Sequence, residues 1–204
     1  IFSQKEFDLR IKKVKDSMSK LGIDILISTD PSNMNYLTGY DGWSFYVPQG
    51  VIVSADDNQP FWFGRKQDSK GARITTFLNH DNIYGYPEKL IQSPPLHPYD
   101  FVVQLIKEKN WSSKKIGVEM DSYYYSAEIH NRLLSNLPNA KFINAHLLIN
   151  WIRYIKSENE IKFMKDAGLL VKEGMQTAFD SIKEGVKQST VAGKIHNTLI
   201  AGNE

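Results

Sequence analysis

Five aromatic rings fall within eleven residues between Tyr36 and Tyr46, in the stretch YLTGYDGWSFY. Most of that stretch reads as a loop, and loops ordinarily keep large apolar rings away from water. Such a cluster needs a cover. Either the rings pack on the domain's own core, or some of them meet a partner subunit or a bound small molecule, two settings rich in aromatic side chains. Trp43 and Phe45 are the candidates for such a contact, with Tyr46 beside them. A second polar stretch, Gly64-Arg65-Lys66-Gln67-Asp68, follows a predicted strand and precedes a predicted helix. Strand ends in α/β sheets host ligand groups, and Arg65 suits a carboxylate, whether of a ligand or of the domain itself.

Other chemistry is sparse. The histidines His80, His97, His130, His146 and His196 show no H-x-H or H-E-x-x-H spacing and read as surface or loop residues. There is no cysteine, which excludes disulfides, thiolate catalysis and Cys-based zinc sites. No nucleophile elbow, P-loop or dinucleotide fingerprint occurs. Asp56 and Asp57 sit in a predicted turn, where Asp is common for backbone reasons. Glu119 and Asp121 flank Met120 at a strand end, where turn or cap duty competes with acid–base work. No catalytic residue and no metal ligand is therefore assigned, and the chain alone is expected to be inactive.

The elements that must position these residues alternate. Ser3 and Glu6 have capping-box spacing, and Phe7, Ile11, Val14, Met18 and Leu21 make one helical stripe that Gly22 ends. Strands are predicted over Ile23–Ile27, Val51–Ser54, Pro60–Phe63, Asn82–Tyr86, Lys115–Met120 and Lys141–Asn144. Helices are predicted over Asn33–Leu37, Asp68–Phe77, Tyr99–Lys109 and Ser126–Leu134. Pro87 to Pro98 holds four prolines and reads as a loop. The alternation implies an α/β domain, a mixed sheet flanked by helices.

From Ser157 onward no strand signal remains. Ser157 and Glu160 form a second capping box. Ile161, Met164, Ala167, Leu170 or Val171, and Met175 mark a long helix that Gly185 ends, and Ser189 or Thr190 opens a last helix running to Ala201, Gly202, Asn203 and Glu204. Two such helices cannot bury their apolar faces on each other alone. The expected organisation is one domain over 1–151 and the start of a second, incomplete one over 152–204.

The 204 residues are 41% hydrophobic with a formal net charge of +2, so neither nucleic acid nor a membrane is expected as a partner. No run is long enough to span a bilayer. The chain opens at Ile1 rather than Met, which leaves room for a short leader. Cytoplasmic residence is the default expectation.

The pattern DPSNMNYLTGY over Asp30–Tyr40 resembles the N-terminal domain of the creatinase, prolidase and aminopeptidase P family. The segment R-Y-I-K-S-x-x-E over Arg153–Glu160 resembles the junction where that family's catalytic pita-bread domain begins. Within the family, GYDGWSFYVPQ (Gly39–Gln49), GRKQDSKGAR (Gly64–Arg73), QSPPLHP (Gln92–Pro98) and GVEMDSYYYS (Gly117–Ser126) resemble ectoine hydrolases, members that open the cyclic amidine of ectoine.

The resemblance implies a ribonuclease H-like mixed α/β domain followed by the first helices of a truncated pita-bread domain. It implies a parent hydrolase acting on a small molecule or dipeptide. That parent would use either two divalent metal ions (Mn or Co) or a metal-free His/Glu pair, all carried beyond Glu204. It also implies a homodimer, in which this domain reaches over the partner's active site. In creatinase a Phe and an Arg two residues later in this loop contact substrate across the dimer. Phe45 matches that Phe, whereas Val47 stands at the place of the Arg, which argues against a creatine-type carboxylate contact. A non-catalytic interaction module and a self-contained small-molecule binding protein are the alternatives from other classes.

Overall fold

A computed structural model describes residues 2–202. Ile1, Asn203 and Glu204, on which the readings of the chain opening and of the last helix's end fall, lie outside the described residues. The described chain divides into two compact units, Ile1–Tyr154 and Ile155–Glu204. The boundary expected at 151 lies inside a short helix of the first unit, Leu148–Tyr154. That helix has seven residues, which is too little periodicity to announce itself in sequence.

The first unit opens with α1 (Gln4–Lys20). Ser3 caps it, its Oγ accepting from Glu6 N, and Gly22 leaves it at φ +64°. Phe7, Ile11, Val14 and Met18 are buried as the stripe requires, but Leu21 sits past the last turn and is exposed. After β1 (Ile25–Ser28) comes α2 (Pro31–Thr38), then β2 (Gly50–Ser54), β3 (Phe61–Arg65), α3 (Ser69–Thr75) and β4 (Ile83–Tyr86). The unit closes with α4 (Pro98–Glu108), β5 (Lys115–Val118), α5 (Ala127–Asn136), β6 (Lys141–Asn144) and α6 (Leu148–Tyr154).

The sheet order is β4-β3-β2-β1-β5-β6. β2 pairs antiparallel with both β1 and β3, while β3–β4, β1–β5 and β5–β6 are parallel. β2 therefore runs against all the others. The central strands are buried along their whole length, as strands covered on both faces must be. On one face Val14, Met18, Leu37, Ala72 and Ile149 pack on Leu26, Val51 and Trp62. On the other Tyr99, Val102, Ile106, Ile129 and Leu133 pack on Ile27, Ile52, Phe63 and Val118.

This topology decides where the loops gather. The segments after β1, β3, β4 and β5 leave the same edge of the sheet, because those strands are parallel. The long aromatic loop precedes β2, which runs the other way, so it arrives at that edge too. Crevices outside the carboxyl ends of parallel strands are the usual ligand positions of such sheets.

The second unit is a hairpin of α7 (Glu158–Ser181) and α8 (Gln188–Ala201). The capping box is complete: Glu160 N donates to Ser157 Oγ at 3.1 Å and Ser157 N donates to Glu160 Oε2 at 2.7 Å. Helix α7 ends before the expected Gly185, which instead takes φ +79° in the turn, and α8 opens at Gln188 behind Lys187 rather than at Ser189 or Thr190. Only Gly174 and Ser181 are buried in these two helices, while Ile161, Met164, Val171, Met175 and Phe179 are exposed. Among the described residues, no helix is long and apolar enough to cross a membrane.

Candidate functional site

The aromatic loop divides its rings between core and surface. Asp30 caps α2 through Asn33 N, and Gly39 ends the helix at φ +80°. A Cβ at Gly39 would lie 3.1 Å from the Phe7 ring and 3.2 Å from Thr75 O, so a side chain there would be both strained and crowded. From that turn Tyr40 dives onto Trp62, with ring centroids 5.2 Å apart, and Tyr36 is buried as well. Burial pushes the Tyr40 phenol up to about 12, with the Asp68 carboxylate adding to the effect and the Gln49 side chain opposing it. Trp43, Phe45 and Tyr46 turn outward and are exposed, Phe45 at 80%. Core packing thus accounts for Tyr36 and Tyr40, while Trp43, Phe45 and Tyr46 stay uncovered in this unit.

Phe45 and Tyr46 line a pocket of about 330 Å³. Its floor is Thr29, Pro31 and Met34, at the end of β1 and the start of α2. The proline-rich segment from Leu90 to Pro98 forms one wall, and Tyr123, Tyr124 and Ser126, after β5, form another. Trp43 stands outside the lining. It packs on Phe45 at 6.1 Å, and its Nε1 donates to Tyr124 Oη at 2.6 Å, joining two loops across the mouth. Arg65 is also outside the lining. Its guanidinium donates from Nε to both Glu88 carboxylate oxygens, at 2.9 and 2.8 Å, and lies 3.5 Å from Tyr46 Oη. That pairing holds Glu88 below the usual carboxylate range and leaves Arg65 with an internal partner.

Sequence reasoning missed several pocket residues: Thr29, Gln49, His97, Tyr123 and Tyr124. The segments carrying Tyr123 and His97 do follow strands of the parallel set, which is the signal that finds them. Gln49 Nε2 donates to Asp68 Oδ2 at 2.9 Å, while its Oε1 is buried with no hydrogen-bond partner. Among the described residues, no group of three His, Cys, Asp or Glu is placed to hold a metal ion.

His97 is neither free nor a simple surface residue. It caps α4: Nδ1 accepts from Tyr99 N at 3.1 Å, and Asp100 Oδ2 accepts from His97 N at 2.8 Å. Arg132 steadies the same corner, donating to Asp100 Oδ1 at 2.7 Å and to Pro95 O at 2.8 Å. Burial, and then the nearby Arg132 charge, lower the His97 pKa from its ordinary 6.5. A depressed imidazole favours the folded state while neutral, so its contribution is present above pH 6.5 and is lost as pH falls towards the lowered value. The urea midpoint is expected to drop between about pH 7.5 and about pH 5.5, and the drop should shrink in His97→Asn, which keeps a side-chain acceptor without the titration. Equal drops in the two proteins would rule the cap out as the source.

Residues 10–155 match the family model of the Creatinase/Prolidase N-terminal domain. The chain belongs to this family. This creatinase/prolidase-type chain is 42% identical over 203 residues to an uncharacterized hydrolase/peptidase of Sinorhizobium fredii, covering 100% of itself and 52% of that relative. It is 41% identical over 202 residues to the ectoine hydrolase of Halomonas elongata, covering 98% and 50%. The chain thus spans about half the length of the curated relatives it matches. Among solved structures, the Xaa-Pro dipeptidase from Bacillus anthracis superposes with a TM-score of 0.73 at 17% identity, covering 96% of this chain and 49% of that one. The mixed α/β fold is that of prolidase and Xaa-Pro peptidase N-terminal domains.

Proposed function

We propose that the first unit is the accessory domain of a C–N bond hydrolase, covering the substrate site and joining two copies of the protein, and that the second unit is the start of the catalytic domain. The observation that carries this reading is the pocket mouth: Phe45 and Trp43 stand exposed beside a cavity at the sheet edge where ligands collect. Exposed rings of that size favour a cover, which a second copy and a substrate would supply. The apolar side chains exposed along α7 and α8 favour further protein packed on them. The likeness to an ectoine hydrolase points to a small cyclic amidine or amide as substrate, and the likeness to dipeptidases to an Xaa-Pro dipeptide. Catalysis would come from a pair of divalent cations or from a metal-free His/Glu pair outside these residues.

The test is turnover of ectoine, creatine and an Xaa-Pro dipeptide by the 204-residue chain and by its full gene product, each with manganese and with a chelator. Turnover is expected from the full product alone, and the preferred substrate and metal response assign the subgroup. Turnover by the shorter chain would overturn the accessory role. Silence from both would favour an interaction module.

A further inference from the structure

We propose that the Asp41–Gly42 step is a site of spontaneous main-chain modification, where the Asp41 carboxyl closes on the Gly42 nitrogen and reopens as a β-linked isoaspartate. The modification needs no enzyme and no co-reactant but water.

The chain holds one Asp-Gly step and no Asn-Gly step. Asp side chains readily reach the backbone of the residues that follow them. Closure onto the next nitrogen is hindered by the side chain of that next residue, and glycine has none. The local structure leaves the reacting groups unengaged. Asp41 is exposed and lies in a segment, 39–44, with neither helix nor strand. Among the described residues its carboxylate has no hydrogen bond or ion pair, and the N–H groups of Gly42, Trp43 and Ser44 donate to nothing. The anchors lie on either side. Asn35 Nδ2 donates to Tyr40 O at 3.1 Å, Asp41 N to Thr75 Oγ1 at 3.3 Å, and Val47 N to Ser44 Oγ at 3.3 Å. Turning the Asp41–Gly42 peptide towards the carboxyl therefore breaks no backbone N–H bond of residues 42–44.

The four Asp-Ser steps, where the following side chain is also small, are held differently. Asp16 and Asp180 lie inside α1 and α7. Asp68 Oδ2 accepts from Gln49 Nε2, and Ser122 N, after Asp121, donates to Glu119 O at 3.0 Å. The fold also requires the glycine at 42. A Cβ there would lie 2.4 Å from Tyr40 Cζ and Oη, and the Tyr40 ring is buried against Trp62. A side chain that slowed closure would displace a core ring.

In the reaction the Gly42 nitrogen loses its proton and bonds to Asp41 Cγ. A C–O bond of the carboxyl breaks, its oxygen leaves as water, and a five-membered succinimide remains. Water then opens the ring. Cleavage between nitrogen and Cγ restores aspartate. Cleavage between nitrogen and the main-chain carbonyl carbon leaves the main chain running through Cβ and Cγ and frees that carbonyl as a carboxylate. Composition and charge are unchanged, but the main chain is longer by a methylene just before Trp43. The Trp43 Nε1 bond to Tyr124 Oη depends on that stretch and would be lost in the isomerised chain.

The experiment incubates the 204-residue chain for weeks at neutral pH, folded and in urea. Its peptides are then read by electron-transfer fragmentation, which separates β-linked from ordinary aspartate. Isoaspartate at position 41 is expected to build up in the folded chain within about tenfold of the unfolded rate, and at least about tenfold faster than at Asp16 or Asp180. Asp41→Glu, which can close only a six-membered ring, should abolish it. Asp41→Asn, with ammonia as the better leaving group, should speed it. A folded rate more than about tenfold below the unfolded one, or no higher than at the helical aspartates, overturns the proposal. An Asp41→Asn chain that isomerises no faster than the parent overturns the succinimide route and the proposal with it.

Discussion

Glu119→Ala is expected to destabilise the first unit by about 3–5 kcal/mol, roughly 10 °C or more in melting temperature. Glu119 is only 3% exposed, and its carboxylate collects donors from two elements. Oε1 accepts from Ser28 Oγ at 2.8 Å and from Asn33 Nδ2 at 2.7 Å. Oε2 accepts from Thr29 N at 2.7 Å and from Asp30 N at 3.0 Å. Alanine would leave two backbone N–H groups, a hydroxyl and an amide without their acceptor in a space that excludes water, and each buried orphan costs about 1–3 kcal/mol. The damage would spread, because Asn33 also donates to Asn150 Oδ1 at 3.0 Å and accepts from Arg153 Nη1 at 2.7 Å. One carboxylate thus fixes the turn after β1 to the end of β5 and, through Asn33, to α6. Glu119→Gln should lose a substantial part of the same stability, since its NH2 must face two of the four donors. Urea unfolding followed by the fluorescence of buried Trp62 and Trp111 reports on this unit. Variants within about 0.5 kcal/mol of the parent would show that the network contributes nothing.

Glu119 also marks where sequence reasoning reaches and where it stops. Its position at a strand end raised both cap and acid–base roles, but the partners come from residues about ninety positions earlier, and only the β1–β5 pairing brings them together. Elements with strong periodic or capping signals were legible: α1 from its stripe and Ser3, α2 from Asp30 and Gly39, α7 from Ser157 and Glu160. Leu21 and α6 were not, the first because a stripe carries no mark of its last buried member, the second because seven residues hold no period. Phe45 and Tyr46, which line the pocket, stood out in the sequence because an aromatic loop violates loop composition. Tyr123, Tyr124 and His97 violate nothing locally. They become pocket residues through strand direction, a property of the sheet. The reversed β2 is what carries the aromatic loop to the edge that the other loops share.

In the full gene product, Phe45→Ala should lower kcat/KM by about tenfold to a hundredfold, with the melting temperature unchanged. The ring is 80% exposed in this unit, so removing it takes little from the fold. If substrate or a second copy covers it during turnover, the full burial of a phenylalanine is at stake, about 1.5–3 kcal/mol. Trp43→Ala should fall in the same range. Its ring supports Phe45, and its loss also breaks the 2.6 Å bond to Tyr124 Oη that ties the two loops of the mouth together. The two substitutions should be non-additive, since the rings touch. Ile74→Ala is the control. It is 83% exposed but lies on α3, outside the lining, and should leave both rate and stability unchanged. The kinetic constants separate two ways of acting. Losing a contact held equally in ground and transition states raises KM alone, whereas losing a cover that completes the site only at the reacting stage lowers kcat. Sedimentation at several concentrations adds the third reading: if the rings are buried against a second copy, removing them would weaken that association along with the rate. Wild-type kcat/KM in both aromatic variants would remove the pocket mouth from the substrate path.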